Sequence, residues 1–295
     1  MQTVSSQPRR HSCCCLVKKI DLDCPEFLLV FTFTAKVKDE YHCYVAVNVM
    51  SEDRTYLSQK NIDPKERLIF ALDVETSDRA RQIVEQLDDA AIFYKLGLEM
   101  FLGGQYFETI EWLLARNKKV FVDLKFFDVP QTVGSAVKQL TNRGISFVTV
   151  HGNDEILKAA VGEKKDLKIL AVTVLTSLDR GDLNDMGFDC DPDALVLSRA
   201  KRALAIGCDG VISSGREAKA LRANLDANFL VVTPGIRPVD NIQENSDDQK
   251  RTVDVKTAFM NGADYIVVGR PIKSAPDPYA AACEIQATIA SIFTN

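Results

Sequence analysis

The sequence has no apolar run long enough to cross a membrane. The longest near its start, Phe27 to Phe33, falls far short of the roughly 20 residues a spanning helix needs. Arg9-Arg10 ahead of Cys13-Cys14-Cys15 resembles a basic leader region. Lys18, Lys19 and Asp21 interrupt the apolar stretch at once and no small-residue cleavage site follows, so it is not read as a secretory signal. A basic excess is missing too. Lys+Arg number 36 against 41 Asp+Glu, a net charge of −5, which lacks the electrostatic footprint of a nucleic-acid binder. A few local Arg and Lys can still hold a small anionic substrate. Cysteine is absent in any useful pattern. Cys13, Cys14, Cys15, Cys24 and Cys43 crowd the start, and Cys190, Cys208 and Cys283 are scattered. With no C-x-x-C and no nearby His pair, neither a zinc site nor a disulfide framework is indicated, and a reduced, cytoplasmic setting is expected. No G-x-G-x-x-G follows the first strand, so dinucleotide binding has no support. Gly103-Gly104 reads as a plain turn.

What is present is a regular alternation that begins near residue 65. Short runs rich in Val, Ile, Leu and Phe fall at 68–73, 92–96, 119–124, 146–150, 168–175, 209–212, 229–233 and 264–268, each of strand length. Between them lie stretches of helical period, among them Ser77 to Leu87, Tyr106 to Ala115, Thr132 to Arg143 and Pro192 to Ile206, with a closing helix from Pro278 to about Phe293. Ser77 and Asp154 are candidate N-caps, and Gly144 and Gly207 stand where helices should stop. Strand-helix alternation implies a parallel sheet. Eight such units in roughly 230 residues fit a closed (β/α)8 TIM barrel better than an open sheet. The expected organisation is one α/β domain over residues 66–295. Residues 1–65 form an irregular extension, either disordered or the product of an upstream start, with Met50 opening the polar lead-in to the first strand.

Active sites of such barrels sit at the C-terminal ends of the strands. The polar residues ending the apolar runs are Asp73, Lys95, Asp123 with Lys125, His151, Thr176 with Ser177, the Pro234-Gly235-Ile236-Arg237 turn, and Gly269-Arg270. On a strand, positions i and i+2 face one way, so Asp123 and Lys125 both point into the mouth, and Asp128 follows on the loop, within reach of the same space or of a neighbouring subunit. A lysine flanked by carboxylates is held as the ammonium, which suits proton donation and not Schiff-base attack. The bland alternative is a structural ion pair at a strand end, and the second cation at Lys95 argues against it. Barrels often bind phosphate at the loops after strands seven and eight. There, Gly235 and Gly269 let backbone N–H groups approach an anion, while Arg237 and Arg270 supply planar charged forks. The long polar segment Val239 to Arg251 reads as a lid or binding loop, with Gln249 able to reach a phosphate or base edge. His151 is read either as catalytic or as a structural hydrogen-bonding residue. Thr176 and Ser177 either meet a base edge or cap a turn.

Taken together, Ala71-Leu72-Asp73, Tyr94-Lys95-Leu96-Gly97, the DLKFFDVPQT segment from Asp123 to Thr132, VTVLTS from Val172 to Ser177, TPGIRP from Thr233 to Pro238, Asp248-Gln249-Lys250-Arg251 and VGRPI from Val268 to Ile272 resemble the bacterial orotidine-5′-phosphate decarboxylase family in order and spacing. The resemblance runs from about Arg67 to Phe293, and the first 65 residues have no counterpart in it. It implies decarboxylation of orotidine 5′-phosphate to uridine 5′-phosphate, the last step of de novo UMP synthesis, with neither metal nor organic cofactor. Lys125 would be the general acid for C6, and Lys95, Asp123, Lys125 and Asp128 an alternating charged tetrad. Asp128 and Thr132 would reach across a homodimer interface into the partner's site. Asp73 and Lys95 would hold the ribose hydroxyls, Thr176 and Ser177 would face the pyrimidine, and Arg237, Gln249, Gly269 and Arg270 would grip the phosphate. The competing enzyme reading is a magnesium-dependent sugar-phosphate decarboxylase or aldolase of the same superfamily. That chemistry needs a carboxylate where this chain has Lys95, a cation that would repel magnesium. A non-enzymatic phosphate sensor on the same scaffold would not require an intact tetrad.

Overall fold

The computed structural model describes residues 16–19, 29–37, 40–48, 56–225, 228–237 and 252–293. The chain divides into two compact units, residues 1–54 and 55–295. Within the first, β1 (Leu16–Lys19), β2 (Leu29–Val37) and β3 (Glu40–Asn48) pair as a three-stranded antiparallel sheet. The aromatic and β-branched residues of β2 suit a strand.

The second unit is a closed barrel. Its strands are β4 (Leu68–Ala71), β5 (Phe93–Leu96), β6 (Lys119–Phe126), β7 (Phe147–His151), β8 (Lys168–Val172), β9 (Gly210–Ile212), β10 (Leu230–Thr233) and β11 (Tyr265–Val268). They pair in parallel in chain order, and β11 closes on β4. The helices are α1 (Ser77–Leu87), α2 (Leu98–Leu102), α3 (Tyr106–Leu114), α4 (Pro130–Leu140), α5 (Asp154–Glu163), α6 (Arg180–Asp185), α7 (Pro192–Ile206), α8 (Ala218–Asn224), α9 (Val255–Met260), α10 (Arg270–Lys273) and α11 (Pro278–Phe293). Each strand is therefore followed by at least one helix before the next, as the sequence pattern predicts.

Several boundaries differ from the sequence reading. Thr76, not Ser77, caps α1. Its backbone is extended and its hydroxyl accepts from the Arg79 N–H, while the Ser77 hydroxyl instead meets that of Thr109 at 2.9 Å. Asn153, not Asp154, caps α5 by accepting from the Ile156 N–H, which leaves Asp154 free to pair with Arg202 at 2.6 Å. In both cases two cap-capable residues stand side by side, and the one with extended φ and ψ takes the role. Helix α4 starts at Pro130, whose fixed φ suits a first helical position, and ends at Leu140, before Arg143. Strand β8 stops at Val172, so Thr176 and Ser177 lie on the loop beyond it. There the Thr173 hydroxyl donates to the Ile212 carbonyl at 3.0 Å, a side-chain bond where the ladder would have continued.

The alternation of strand side chains makes two cores. Leu68, Phe70, Tyr94, Val120 and Val122 face the helices. Ile69, Ala71, Phe93, Phe121, Phe147 and Tyr265 fill the interior of the barrel. Phe93, Phe147 and Tyr265 interlock there, with ring centroids 5.1 to 6.0 Å apart in edge-on or tilted contacts. Below this layer, buried Asp264 gathers the lead-in to β4. It accepts from Ser58 and Lys60, from the Val231 N–H at 2.8 Å, and from Arg222 at 2.6 Å. Arg67 donates to the Asp264 carbonyl and lies 3.6 Å over the Phe293 ring.

Candidate active site

The interior aromatics fill the barrel up to Phe121, and above it the side chains turn polar. A cavity of about 420 Å³ opens there, lined by Asp73, Lys95, Asp123, Lys125, Thr176, Ser177, Arg237, Gly269 and Arg270, among others. These are most of the residues picked out by sequence, and they come from six different strand ends.

The charged residues form a chain of alternating sign. Lys95 Nζ donates to Asp73 Oδ1 at 3.1 Å and lies 3.4 Å from Asp123 Oδ2. Lys125 Nζ donates to Asp123 Oδ1 at 2.9 Å. Burial would make both central groups give up their charge, and their neighbours outweigh it. Burial pulls Lys95 down, but Asp123 and then Asp73 hold it above its ordinary value. Burial pushes Asp123 up, yet Lys95, Lys125 and the hydrogen bonds from Lys125 and Thr149 keep its carboxyl below the usual carboxylate range. Lys95 thus places an ammonium between two carboxylates. The Cβ of a residue larger than Gly97 would stand 3.2 Å from Asp73 Oδ1 and 3.3 Å from Lys95 Nζ, so the small residue after β5 leaves room for this pair.

Lys125 reaches the mouth by an unusual path. Strands β6 and β7 pair at Phe121 with Phe147 and Val122 with Val148, then resume at Phe126 with Val150. Three residues of β6 therefore stand opposite Thr149 alone, and Lys125 adopts a left-handed φ of 48°. The strand rule for positions i and i+2 gives the right side of the sheet, although the backbone between is a bulge.

On the β10 side of the cavity, Gly235 has φ 76°, and the segment is pinned by a parallel bridge between Ile236 and Val253, with the Arg237 N–H donating to the Val253 carbonyl at 3.0 Å. The proposed lid from Val239 to Arg251, with Gln249, lies outside the described residues. Gly269 sits close to β4, where an added Cβ would meet that of Ala71 at 3.2 Å. Lys273 was not singled out by sequence. It lines the cavity, and its Nζ donates to the Asp73 carbonyl at 2.6 Å, tying α10 to the end of β4.

Asp128 and Thr132 stay outside this cavity and are exposed. The Asp128 carboxylate accepts from the N–H of Val129 at 2.6 Å. His151 ends β7 and does not line the cavity. Its Nδ1 is buried without a hydrogen-bond partner, its ring meets Phe127 edge-on at 5.3 Å, and burial, then the charges of Arg199 and Lys125, hold its pKa below the ordinary value. Among the described residues no group of His, Cys, Asp and Glu has an arrangement that could hold a metal ion, and no helix is long and apolar enough to cross a membrane.

Comparison with known proteins agrees with this geometry. Residues 66–285 match the Orotidine 5'-phosphate decarboxylase / HUMPS family. The orotidine 5'-phosphate decarboxylase of Methylococcus capsulatus is 60% identical over 81% of this chain and 98% of its own length. That of Stenotrophomonas maltophilia is 50% identical over 77% of this chain and 93% of its own. Among solved structures, the orotidine 5'-phosphate decarboxylase of Lactobacillus acidophilus superposes with a TM-score of 0.66 at 36% identity, over 76% of this chain and 99% of that one. With the barrel, the alternating charges and near full-length relatives in agreement, the chain belongs to the orotidine 5'-phosphate decarboxylase / HUMPS family.

Proposed function

We propose that the chain carries out its decarboxylation of orotidine 5′-phosphate to UMP, the last step of de novo UMP synthesis, through Lys125 acting as the proton donor to C6. The observation that carries this reading is the alternating line Asp73–Lys95–Asp123–Lys125 in a cavity that Arg237 and Arg270 also line. Arg237, Gly269 and Arg270, with Gln249 from the adjoining loop, grip the phosphate. Asp73 and Lys95 hold the ribose hydroxyls, and Thr176 with Ser177 faces the pyrimidine. The C6–carboxyl bond then lies beside Asp123 and Lys125. When that bond breaks, carbon dioxide leaves and the electron pair stays on C6 in the plane of the ring, where the π system cannot delocalise it. The fixed ammonium of Lys125 stabilises that charge as it forms and passes one proton to C6, and the neutral amine is reprotonated from solvent. Binding energy from the remote phosphate organises the site for this step. No step calls on a metal or an organic cofactor.

The same reading makes the enzyme a homodimer in which Asp128 and Thr132 complete the partner's site. Its support is their exposure beside uncovered apolar side chains, Phe127 at 69% and Val129 at 62% accessible, since patches of this kind mark interaction surfaces. Catalysis is assigned to residues 66–295, with residues 55–65 as the lead-in within the same compact unit and residues 1–54 as an extension. A reducing cytoplasm fits the three cysteines among the described residues, Cys190, Cys208 and Cys283, which are free thiols.

The test is loss of orotidine 5′-phosphate absorbance on adding protein pretreated with excess chelator, run beside Lys125→Ala. The wild type should convert substrate to UMP, and Lys125→Ala should lose at least roughly 10²–10⁴-fold in kcat, the range for a general acid, while still binding UMP. Near-normal turnover by Lys125→Ala would sink the mechanism. Activity only on a sugar phosphate with added magnesium would move the chain to the competing chemistry.

A further inference from the structure

Thr149 lies in the middle of β7, fully buried and away from the cavity wall. It faces the three-residue bulge of β6 by itself. Its hydroxyl makes two bonds at once, accepting from the Lys125 N–H at 2.9 Å and meeting Asp123 Oδ1 at 2.9 Å. Their direction is fixed by chemistry. An amide N–H can only donate, and an ionised carboxylate can only accept, so the hydroxyl proton must point at Asp123 and its lone pair at Lys125. At the bulge the backbone ladder is broken, and the Lys125 N–H finds this side chain instead. Without it a part-buried donor would be left unpaired, and a lysine at positive φ would lose the contact opposing its relaxation.

We propose that Thr149 is a positioning residue for the decarboxylation, its one hydroxyl locking both the backbone that presents Lys125 and the carboxylate that Lys125 pairs with. The inference rests on the reading of Lys125 as proton donor. It predicts that Thr149 matters for the chemical step and little for nucleotide affinity, because Thr149 touches neither the phosphate end nor the pyrimidine side of the cavity.

The test compares Thr149→Val, which keeps the shape and removes both bonds, with Thr149→Ser, which keeps the hydroxyl. For each, kcat, KM, UMP affinity and the pH profile of kcat are measured, with Lys125→Ala in parallel. Thr149→Val should lower kcat by about 10–100-fold, the scale of a displacement near 1 Å at a reacting group, while KM and UMP affinity stay within about threefold. Its acidic limb should move to higher pH, since the lost bond had favoured the charged form of Asp123. Thr149→Ser should recover most of kcat. If Thr149→Val does not fold, Thr149→Cys, whose thiol is a weak donor and acceptor, reads the same pattern at smaller amplitude. Wild-type kcat and acidic limb in the Val or Cys variant overturn the proposal, and so does a loss that Thr149→Ser shares in full or that falls mainly on UMP affinity. An inactive Lys125→Ala beside a normal Thr149→Val sinks this inference alone, whereas an active Lys125→Ala sinks the reading beneath it.

Discussion

Lys95 and Asp123 hold their charges against burial because each pairs with the other, with Asp73 beside the lysine and Lys125 and Thr149 beside the carboxylate. Asp123 is depressed, so the stability it contributes is complete above the ordinary carboxylate range and is lost as pH falls through its folded value. Lys95 is raised, so its contribution is complete below 10.5 and is lost as pH climbs through a still higher folded value. The pair is therefore charged throughout the neutral range. His151 behaves differently. Its folded value lies below 6.5, so its neutral ring contributes stability above 6.5 that is lost as pH falls through the folded value. Thermal midpoints measured from pH 8 to 5 should fall less steeply for His151→Asn than for the wild type, and identical slopes would contradict this account. At this scale the sequence was most legible where charged residues end apolar strands, as at Asp73, Lys95, Asp123 and Lys125, all of which line the cavity. It was least legible at Thr149 and Lys273, one a hydroxyl amid apolar strand residues and the other a lysine on a four-residue helix. Neither residue type signals its partner until the fold supplies it.

At the scale of the element, strands and long helices were readable because burial imposes a period on them. Helix α7, from Pro192 to Ile206, and α11, from Pro278 to Phe293, lie where the pattern puts them. The caps of α1 and α5 each moved by one residue because adjacent cap formers compete, and the bulge in β6 left no mark, since no glycine announces the positive φ at Lys125. The lead-in to β4 was also opaque, because its contacts with Asp264 span some two hundred positions of sequence, from Ser58 and Lys60 at one end to Asp264 at the other. That clasp has a measurable weight. Arg222 and Asp264 are both buried, with side chains 6% and 0% accessible. Removing one partner of such a pair costs about 3–5 kcal/mol. Asp264→Ala should therefore lower the thermal midpoint by on the order of 10 °C, at about 2–4 °C per kcal/mol for a domain of this size. Calorimetry checks it, and an unchanged midpoint would mean that the clasp contributes nothing net. Below its melting range the variant should keep its KM, because Asp264 lies at the opposite end of the barrel from the cavity.

At the scale of the whole molecule, the barrel could be inferred from strand count and alternation, and it brought together residues from Asp73 to Arg270 that are far apart in sequence. The placement of Asp128 and Thr132 outside the cavity of their own chain fits a site shared between two copies, and complementation measures that directly. Lys125→Ala and Asp128→Ala, each inactive alone, are mixed, denatured and refolded together. Half of the dimers should then be mixed, each with one intact site, which restores about a quarter of wild-type activity if the sites are shared across a two-fold interface. Absence of recovery, with mixed dimers present, would place Asp128 in the site of its own chain.

The interlocked rings of Phe93, Phe147 and Tyr265 have a kinetic consequence. They make the barrel a cup closed at its base, since a packed interior offers no pore. In the binding mode proposed above, carbon dioxide released at C6 must leave by the mouth through which the nucleotide entered, past a ligand still gripped at its phosphate. Until it departs, it remains an electrophile beside a fresh carbanion, and recombination competes with every forward turnover. On the proposed mechanism, a proton held on Lys125 before the bond breaks decides that race by trapping the carbanion first.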